Sequence, residues 1–403
     1  MALPPLTSTR VLELGDYVSA AYCAKLLGEY GAEIIKVEPP GTGDSARKHG
    51  PFPNGKPDPE SSGLFLFLNT SKLGITLDLH TPAGIDIVQE LVRQCDVVVH
   101  NYLPQELETL GLTYAQLQGL NPSIVMTNVT AFGHVGPYGR YKAYSLAGSA
   151  AGGAAHRIGA PDRYPLAMPY QRADLWGGLN GAPATMLALT TRRRDGMGQV
   201  VDISSAECLN AFGNGNDLII YADSGSITRR HGTRTPIQYP YTILPCKDGY
   251  FAMIIGSEHH WQRWVEMMGN PEWTKNPRYQ DRVAMGVEYP EEVDALLKPW
   301  MMQHTKHELW TMCRERGIPW HAVQTVDDTM EWDLLKDRGF WEEQRDGQGR
   351  TWKLPGPTFK MQRTPAAPFR SSPTLGQHND FVYGELLDMS QLERTALREK
   401  SVI

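Results

Sequence analysis

The sequence predicts an α/β protein of two domains, a larger one on a mostly parallel sheet and a smaller α+β one. Three observations carry that expectation. The chain has 403 residues, more than one ordinary hydrophobic core accommodates. Short β-branched runs alternate with amphipathic helical patterns through residue 135, as repeated βαβ units do. A polar, punctuated stretch, "ADSGSITRRHGTRTPIQYP" at 222–240, then separates this region from further strands and helices.

Each element follows from its local pattern. "TRVLELG" reads as a strand, "DYVSAAYCAKLLGEYG" as a helix and "AEIIKVE" as a second strand, a βαβ unit with a right-handed crossover. "GITLDL" is a strand and "TPAGIDIVQELVRQC" an amphipathic helix opened by Thr81 and Pro82. "DVVVHNY", "LTYAQLQGLN" and "PSIVMTNVTAFG" add strand, helix and strand. "SLAGSAAGGAA" at 145–155 is built of small residues that allow close backbone packing. "LWGGLNGAPATMLALTTRRR" is a helix with a small-residue face, and Pro183 should kink it. A strand at 199–203 and a further helix follow. "YTILPCKDGYFAMII" (241–255) forms two strands around a turn at Lys247–Gly249, and helical patterns run on to "HELWTMCRERG". The expected domains are 1–221 (large), 222–325 (small, with its linkers) and 326–403, a loop-rich tail that returns to cover the first.

Composition narrows the function. With 41% hydrophobic and 21% charged residues and no biased tract, the chain reads as a soluble globular protein. A net charge of −6 argues against nucleic acid as a partner, since phosphate-tracking surfaces need a basic excess. No run approaches the roughly 18–20 apolar residues of a membrane span. The first residues lack the basic and apolar regions of a secretory signal, so the expected location is cytoplasmic. Cys23, Cys95, Cys208, Cys246 and Cys313 lie far apart with no CxxC spacing. The histidine pairs 259/260 and 304/307 also lack ligand spacing, so no metal site is expected.

A parallel α/β domain invites a dinucleotide reading, which fails on local sequence. The first strand-to-helix turn, "LELGDYVSAA", has one glycine where the G-x-G-x-x-G fingerprint needs three. "PPGTGD" at 39–44 follows the wrong strand and lacks the third glycine. A Walker loop is absent too.

The most informative segment is "PYQRADLWGG" at 169–178. Its acid, Asp174, stands before an apolar, glycine-rich helical run without a neighbouring base or second acid. Three readings compete: a helix N-cap, an ion pair with Arg172 or a surface aspartate, and a nucleophilic carboxylate needing a dry pocket and oxyanion donors. Gly177 at the third position rules out a reciprocal capping box. Spacing alone favours the cap.

Across nearly its whole length the chain resembles the family III CoA transferases, the CaiB/BaiF type that includes formyl-CoA transferases. The resemblance lies in "RVLELG", "LLGEYGAEIIKVEPPGTGDSAR", "LNTSKLGITLDL", "RADLWGGLNGAPATMLAL", "GMGQVVDIS", "PCKDGYF" and "PTLGQHND", in order and spacing. It implies a Rossmann-like large domain and a homodimer of interlocked chains. It also implies Asp174 as the nucleophile that carries the acyl group as an aspartyl anhydride and CoA as an aspartyl thioester. Acyl-CoA and a free carboxylic acid are then the substrates, with no tightly bound cofactor. Position by position, it implies CoA contacts at Val18 and Ser19, Leu77 and His80, Asn101 and Tyr102, and Lys142 and Tyr144. Arg47, Lys72 and Lys142 would offer charge to CoA's phosphates. Tyr164, Tyr170, Trp176, His259, His260 and Trp261 suggest an aromatic-lined acyl pocket, and a dicarboxylate donor is expected.

The chain departs from the family at several points. Ala20-Ala21 stands for a common Gly-Pro, and Pro39, Leu73 and Thr109 stand where basic residues are frequent. "TPIQYPYTILP" replaces a glycine-rich lid. An α-methylacyl-CoA racemase of the same fold needs a histidine near Lys142, and "GRYKAYSLAG" has none. A non-catalytic CoA-binding protein is the remaining alternative.

Overall fold

A computed structural model describes residues 3–213, 215–254, 256–346 and 348–403. The chain forms two compact units, one of Met1–Ala155, Ala167–Ile227 and Lys336–Ile403, the other of His156–Leu166 and Thr228–Leu335. The 156–166 excursion has no sequence signature because its bonds are long-range. The Gly232 N–H donates to the Gly159 carbonyl (3.1 Å), and the Arg230 guanidinium reaches the carbonyls of His156 and Arg163.

The first unit opens with β1 (Arg10–Glu13), α1 (Ser19–Glu29), β2 (Glu33–Glu38), α2 (Gly63–Leu68) and β3 (Lys72–Thr76). It continues through α3 (Pro82–Arg93), β4 (Val97–His100), α4 (Pro104–Leu110), α5 (Tyr114–Leu120) and β5 (Val125–Thr130). Then come α6 (Ser145–Ala151), α7 (Ala154–Arg157, where the chain passes into the second unit at His156), α8 (Arg172–Asp195), β6 (Val200–Ser204), α9 (Ser205–Gly213) and α10 (Gly215–Ser224). Among the described residues β1–β6 form one parallel sheet of order β3-β2-β1-β4-β5-β6. Both faces are covered, which is why its central strands read as unbroken apolar runs such as "VVV" at 97–99. On one face Ile87, Leu91 and Leu117 pack with Val98 and Met126; on the other Ala24, Leu27 and Ala188 pack with Val97 and Val129. The C-terminal tail closes the first face with Val382, Tyr383, Val402 and Ile403, and the Tyr383 hydroxyl donates to the Thr76 carbonyl (2.6 Å).

Helix α3 begins as its sequence signals: the Thr81 hydroxyl accepts from the Gly84 N–H, with Pro82 first in the helix. Helix α8 continues through Pro183 to Asp195. Its glycines let it settle onto α1 and β5. A Cβ at Gly178 would come within 2.6 Å of the Ser19 carbonyl oxygen, and one at Gly177 within 2.2 Å of Ser205 Oγ.

The second unit pairs β7 (Tyr241–Cys246) antiparallel with β8 (Gly249–Ile254), and β8 with β9 (His321–Ala322). Ile255, the last residue of the expected strand pair, lies outside the described residues. Trp261, Trp264, Leu297, Leu309 and Trp320 form this unit's core. Among the described residues no helix is long and apolar enough to cross a membrane, and no cluster of side chains could hold a metal ion.

Candidate active site

In a parallel sheet of order 3-2-1-4-5-6 the chain leaves β1 and β4 toward opposite faces, opening a ligand crevice beyond their carboxyl ends. A cleft of about 170 Å³ lies there. Its walls are residues 16–19 after β1, 101–103 after β4, 129–131 at the end of β5, and 141–144, with Asp174.

Buried ion pairs fix the first of these loops. Glu13, at the end of β1, accepts from Lys36 Nζ (2.8 Å) and lies 2.7 Å from Lys72 Nζ; Lys36 also pairs with Asp44 (2.6 Å). The other Asp44 oxygen accepts from the backbone N–H groups of Tyr17 (3.1 Å) and Ala46 (2.7 Å). Arg47 grips Glu38 through Nε and Nη2 (2.7 and 2.8 Å) and reaches Glu60 (3.0 Å). The expectation that Arg47 and Lys72 offer charge to a bound polyanion therefore needs correcting. Both are enclosed, and Glu38, Glu60 and Glu13 already match their charges. Burial, reinforced by the neighbouring Lys36 ammonium and opposed by Glu13, brings the Lys72 ammonium down to about 8.

Asp174 has no such partner. It is the third residue of α8, whose N-cap is Gln171, so the helix-cap expectation is also corrected. Nor does the structure pair it with Arg172, which is exposed and has no ion pair among the described residues. The Asp174 side chain is buried, at 8% exposure, and Oδ2 meets no hydrogen-bond donor among the described residues. Burial pushes its pKa up to about 7, opposed only by a backbone N–H from Ser145. Ser145 Oγ accepts from the Ala173 N–H (2.9 Å), which ties the start of α6 to the first turn of α8.

Val18, Ser19, Asn101, Tyr102, Lys142 and Tyr144 line the same cleft as Asp174. Ser19 Oγ donates to the Val129 carbonyl (2.8 Å) and accepts from Asn101 Nδ2 (3.2 Å), while Asn101 Oδ1 accepts from the Asp16 N–H (3.0 Å). The loops after β1 and β4 thus hold one another. Lys142 is exposed and has no ion pair among the described residues, so its charge is available. Leu77 and His80 are elsewhere. Leu77 is packed in the sheet core at 1% exposure, and His80 is exposed in the turn before α3, so neither side chain lines the cleft.

Sequence reasoning misses Tyr17 and Gln171. Tyr17 occupies the left-handed region (φ 67°), and its hydroxyl accepts from Gln171 Nε2 (2.8 Å). The only sequence signal is their closeness to Val18 and Asp174. Beside them lies a second, apolar cleft of about 400 Å³, lined by Val18, Tyr22, Leu64, Phe67, Leu175 and Trp176 with 170–172 and Leu179. Of the expected acyl-pocket aromatics, Tyr170 and Trp176 are here, whereas Tyr164, His259, His260 and Trp261 belong to the second unit.

Strand order and cleft position define a ligand-binding, doubly wound α/β protein with a buried, unpaired acid at its switch point. Comparison with known proteins gives the family: the profile of CoA-transferase family III matches residues 6–379, and the chain belongs to that family. It is 33% identical to the succinyl-CoA–D-citramalate CoA-transferase of Chloroflexus aurantiacus over 99% of this chain and 98% of the relative. It is 30% identical to the succinate–glutarate CoA-transferase of Agrobacterium fabrum over 98% of each. The crystal structure of a CaiB/BaiF family protein from Brucella suis superposes with a TM-score of 0.87 at 29% identity, covering 96% of this chain and 100% of that one. The protein is a family III CoA-transferase, an enzyme moving CoA between acyl-CoA thioesters and carboxylic acids.

Proposed function

We propose that Asp174 carries the transfer covalently. Its carboxylate attacks the donor's thioester carbonyl, the C–S bond breaks, and CoA leaves as thiolate, giving an acyl–aspartyl anhydride. The thiolate returns to the aspartyl carbonyl, releasing the donor acid with one Asp174 oxygen and leaving an aspartyl-CoA thioester. An acceptor carboxylate displaces CoA from that thioester to form a second anhydride. CoA then attacks the acceptor's carbonyl, regenerating the Asp174 carboxylate. No step removes a proton from the nucleophile, so a lone ionised carboxylate suffices. The observation that carries this reading is the buried Asp174 Oδ2, without a donor among the described residues, in the wall of the switch-point cleft. Exclusion of water there protects an anhydride from hydrolysis.

The remaining cleft residues have roles consistent with CoA binding. Val18, Ser19, Asn101 and Tyr102 form the wall against which the pantetheine arm lies, and Lys142 and Tyr144 flank its approach. Lys142, exposed and without an ion pair among the described residues, offers its charge to a phosphate. The donor is a short dicarboxylic acyl-CoA, as in the two named relatives, and a cytoplasmic location is part of the same reading. No histidine is among the described residues lining the cleft, which leaves a racemase without its second acid–base group. Exposed Phe212, Ile219 and Tyr221 on α9 and α10 suit burial against a second copy in an interlocked homodimer; sedimentation at twice the chain mass is the expected result. The direct test is Asp174→Ala, expected to lower transfer by at least about a thousandfold while CoA binding stays measurable by calorimetry. Unchanged turnover contradicts the reading.

A further inference from the structure

We propose that Tyr17 is a specificity-determining residue. With Gln171 it forms a partition that closes the apolar cleft to an acyl group held at Asp174, confining the enzyme to short acyl groups. The proposal rests on the reading of Asp174 as acyl acceptor. Its geometry is direct: Tyr17 lines the switch-point cleft, Gln171 lines the apolar one, and the two are joined by the 2.8 Å hydrogen bond. Val18 borders both clefts. Along α8, Asp174 faces the first cleft and the adjacent Leu175 the second. The space beyond this hydrogen bond, about 400 Å³ with mostly apolar walls, therefore lies next to the reacting carboxylate but on the far side of the pair.

The backbone supports an active role for the tyrosine ring. A bulky L-residue at φ 67° is strained, and such positions persist only where the surroundings over-determine them. Here Asp44, itself fixed by buried Lys36, accepts from the Tyr17 N–H. A position needed only to turn the chain would be relieved by glycine; tyrosine instead places a ring between two cavities. That ring is wedged against His49 (centroids 4.9 Å apart) and edge-on against Tyr144 (6.3 Å). At its tip it is tied to the N-cap residue of the helix that bears Asp174.

The test compares kcat/KM for acetyl-, succinyl-, hexanoyl- and octanoyl-CoA in the full-length enzyme and in Tyr17→Ala, Tyr17→Phe and Gln171→Ala. Opening the partition is expected to shift the ratio of hexanoyl- to succinyl-CoA toward the longer chain by at least about tenfold in Tyr17→Ala and Gln171→Ala. Tyr17→Phe, which keeps the ring and loses the hydroxyl, shifts it less in the same direction. An equal fall for all donors, the mark of a merely structural role, overturns the proposal, and so does an unchanged ratio. Hydroxylamine trapping in the same samples separates the two readings. If Asp174 is labelled from succinyl-CoA while the ratio stays fixed, the partition alone is wrong; if the wild-type enzyme labels elsewhere, the reading of Asp174 is wrong.

Discussion

Two buried acids, Glu13 and Asp174, lie in the same unit and meet opposite fates. Glu13 is fully buried at the end of β1, yet Lys36 and Lys72 outweigh the cost of burial and hold its carboxyl below the usual range. Asp174 is nearly as buried, faces no cation among the described residues, and rises to about 7. Burial is common to both, so the partner decides. A buried acid with matched charges is fixed structure, because its attraction to two ammonium groups would be lost in any reaction at its oxygens. A buried acid without them is destabilised as an anion, and that instability is relieved when it forms a covalent bond.

The sharpest way to break this contrast is to cross the two sites. Asp174→Ala should abolish transfer with the fold intact. Glu13→Gln should instead cost about 3–5 kcal/mol of stability, since it leaves Lys72 buried against a neutral amide and Lys36 with Asp44 as its one carboxylate among the described residues. Denaturant titration of both variants checks this; an equally unstable Asp174→Ala erases the distinction.

A second prediction concerns pH. The Asp174 carboxyl binds its proton more tightly folded (about 7) than unfolded, where it has the ordinary value of 3.8. Stability contributed by this group is therefore present at low pH, falls as pH rises from about 4 to 7, and stays lost above. The loss reaches at most about 4 kcal/mol. Asp174→Asn should consequently stabilise the protein at pH 8 and hardly at all at pH 4, measured as the difference in unfolding free energy. In the wild type, kcat/KM should fall tenfold for each pH unit below about 7 as the proposed nucleophile is protonated. A profile flat through that range contradicts the assignment.

The smallest expected effect lies at the edge of the cleft. Lys142→Ala should raise KM for acyl-CoA severalfold, with kcat nearly unchanged and the difference shrinking at high salt, because an exposed charge is screened. Steady-state kinetics at two ionic strengths reads it directly.

The fold was legible in the sequence where patterns are local. β-branched runs marked all six parallel strands, Thr81-Pro82 marked the start of α3, and the loop-rich tail lacked a core of its own. What stayed hidden is long-range. The 156–166 excursion is held by bonds to residues near 230, and the pairing of Lys72 with Glu13 spans most of the first βαβ unit and beyond. Charge type is visible in a sequence but charge balance is not, and for that reason Arg47 and Lys72 read as phosphate partners. The proposed nucleophile, Asp174, was legible only through family resemblance. Its local pattern favoured a cap, whereas α8 starts at Arg172 and places the acid within its first turn, in the wall of the cleft. Tyr17 was hidden because a positive φ in an aromatic residue leaves no sequence trace.

Oxygen tracing tests the central claim most directly. With an acceptor acid carrying oxygen-18 in its carboxylate, each turnover through the proposed anhydride leaves one labelled oxygen on the aspartate that carried it. After a single turnover, peptide mass spectrometry is expected to find the label on Asp174. Label on another acid, or product formed with Asp174 unlabelled, contradicts the account.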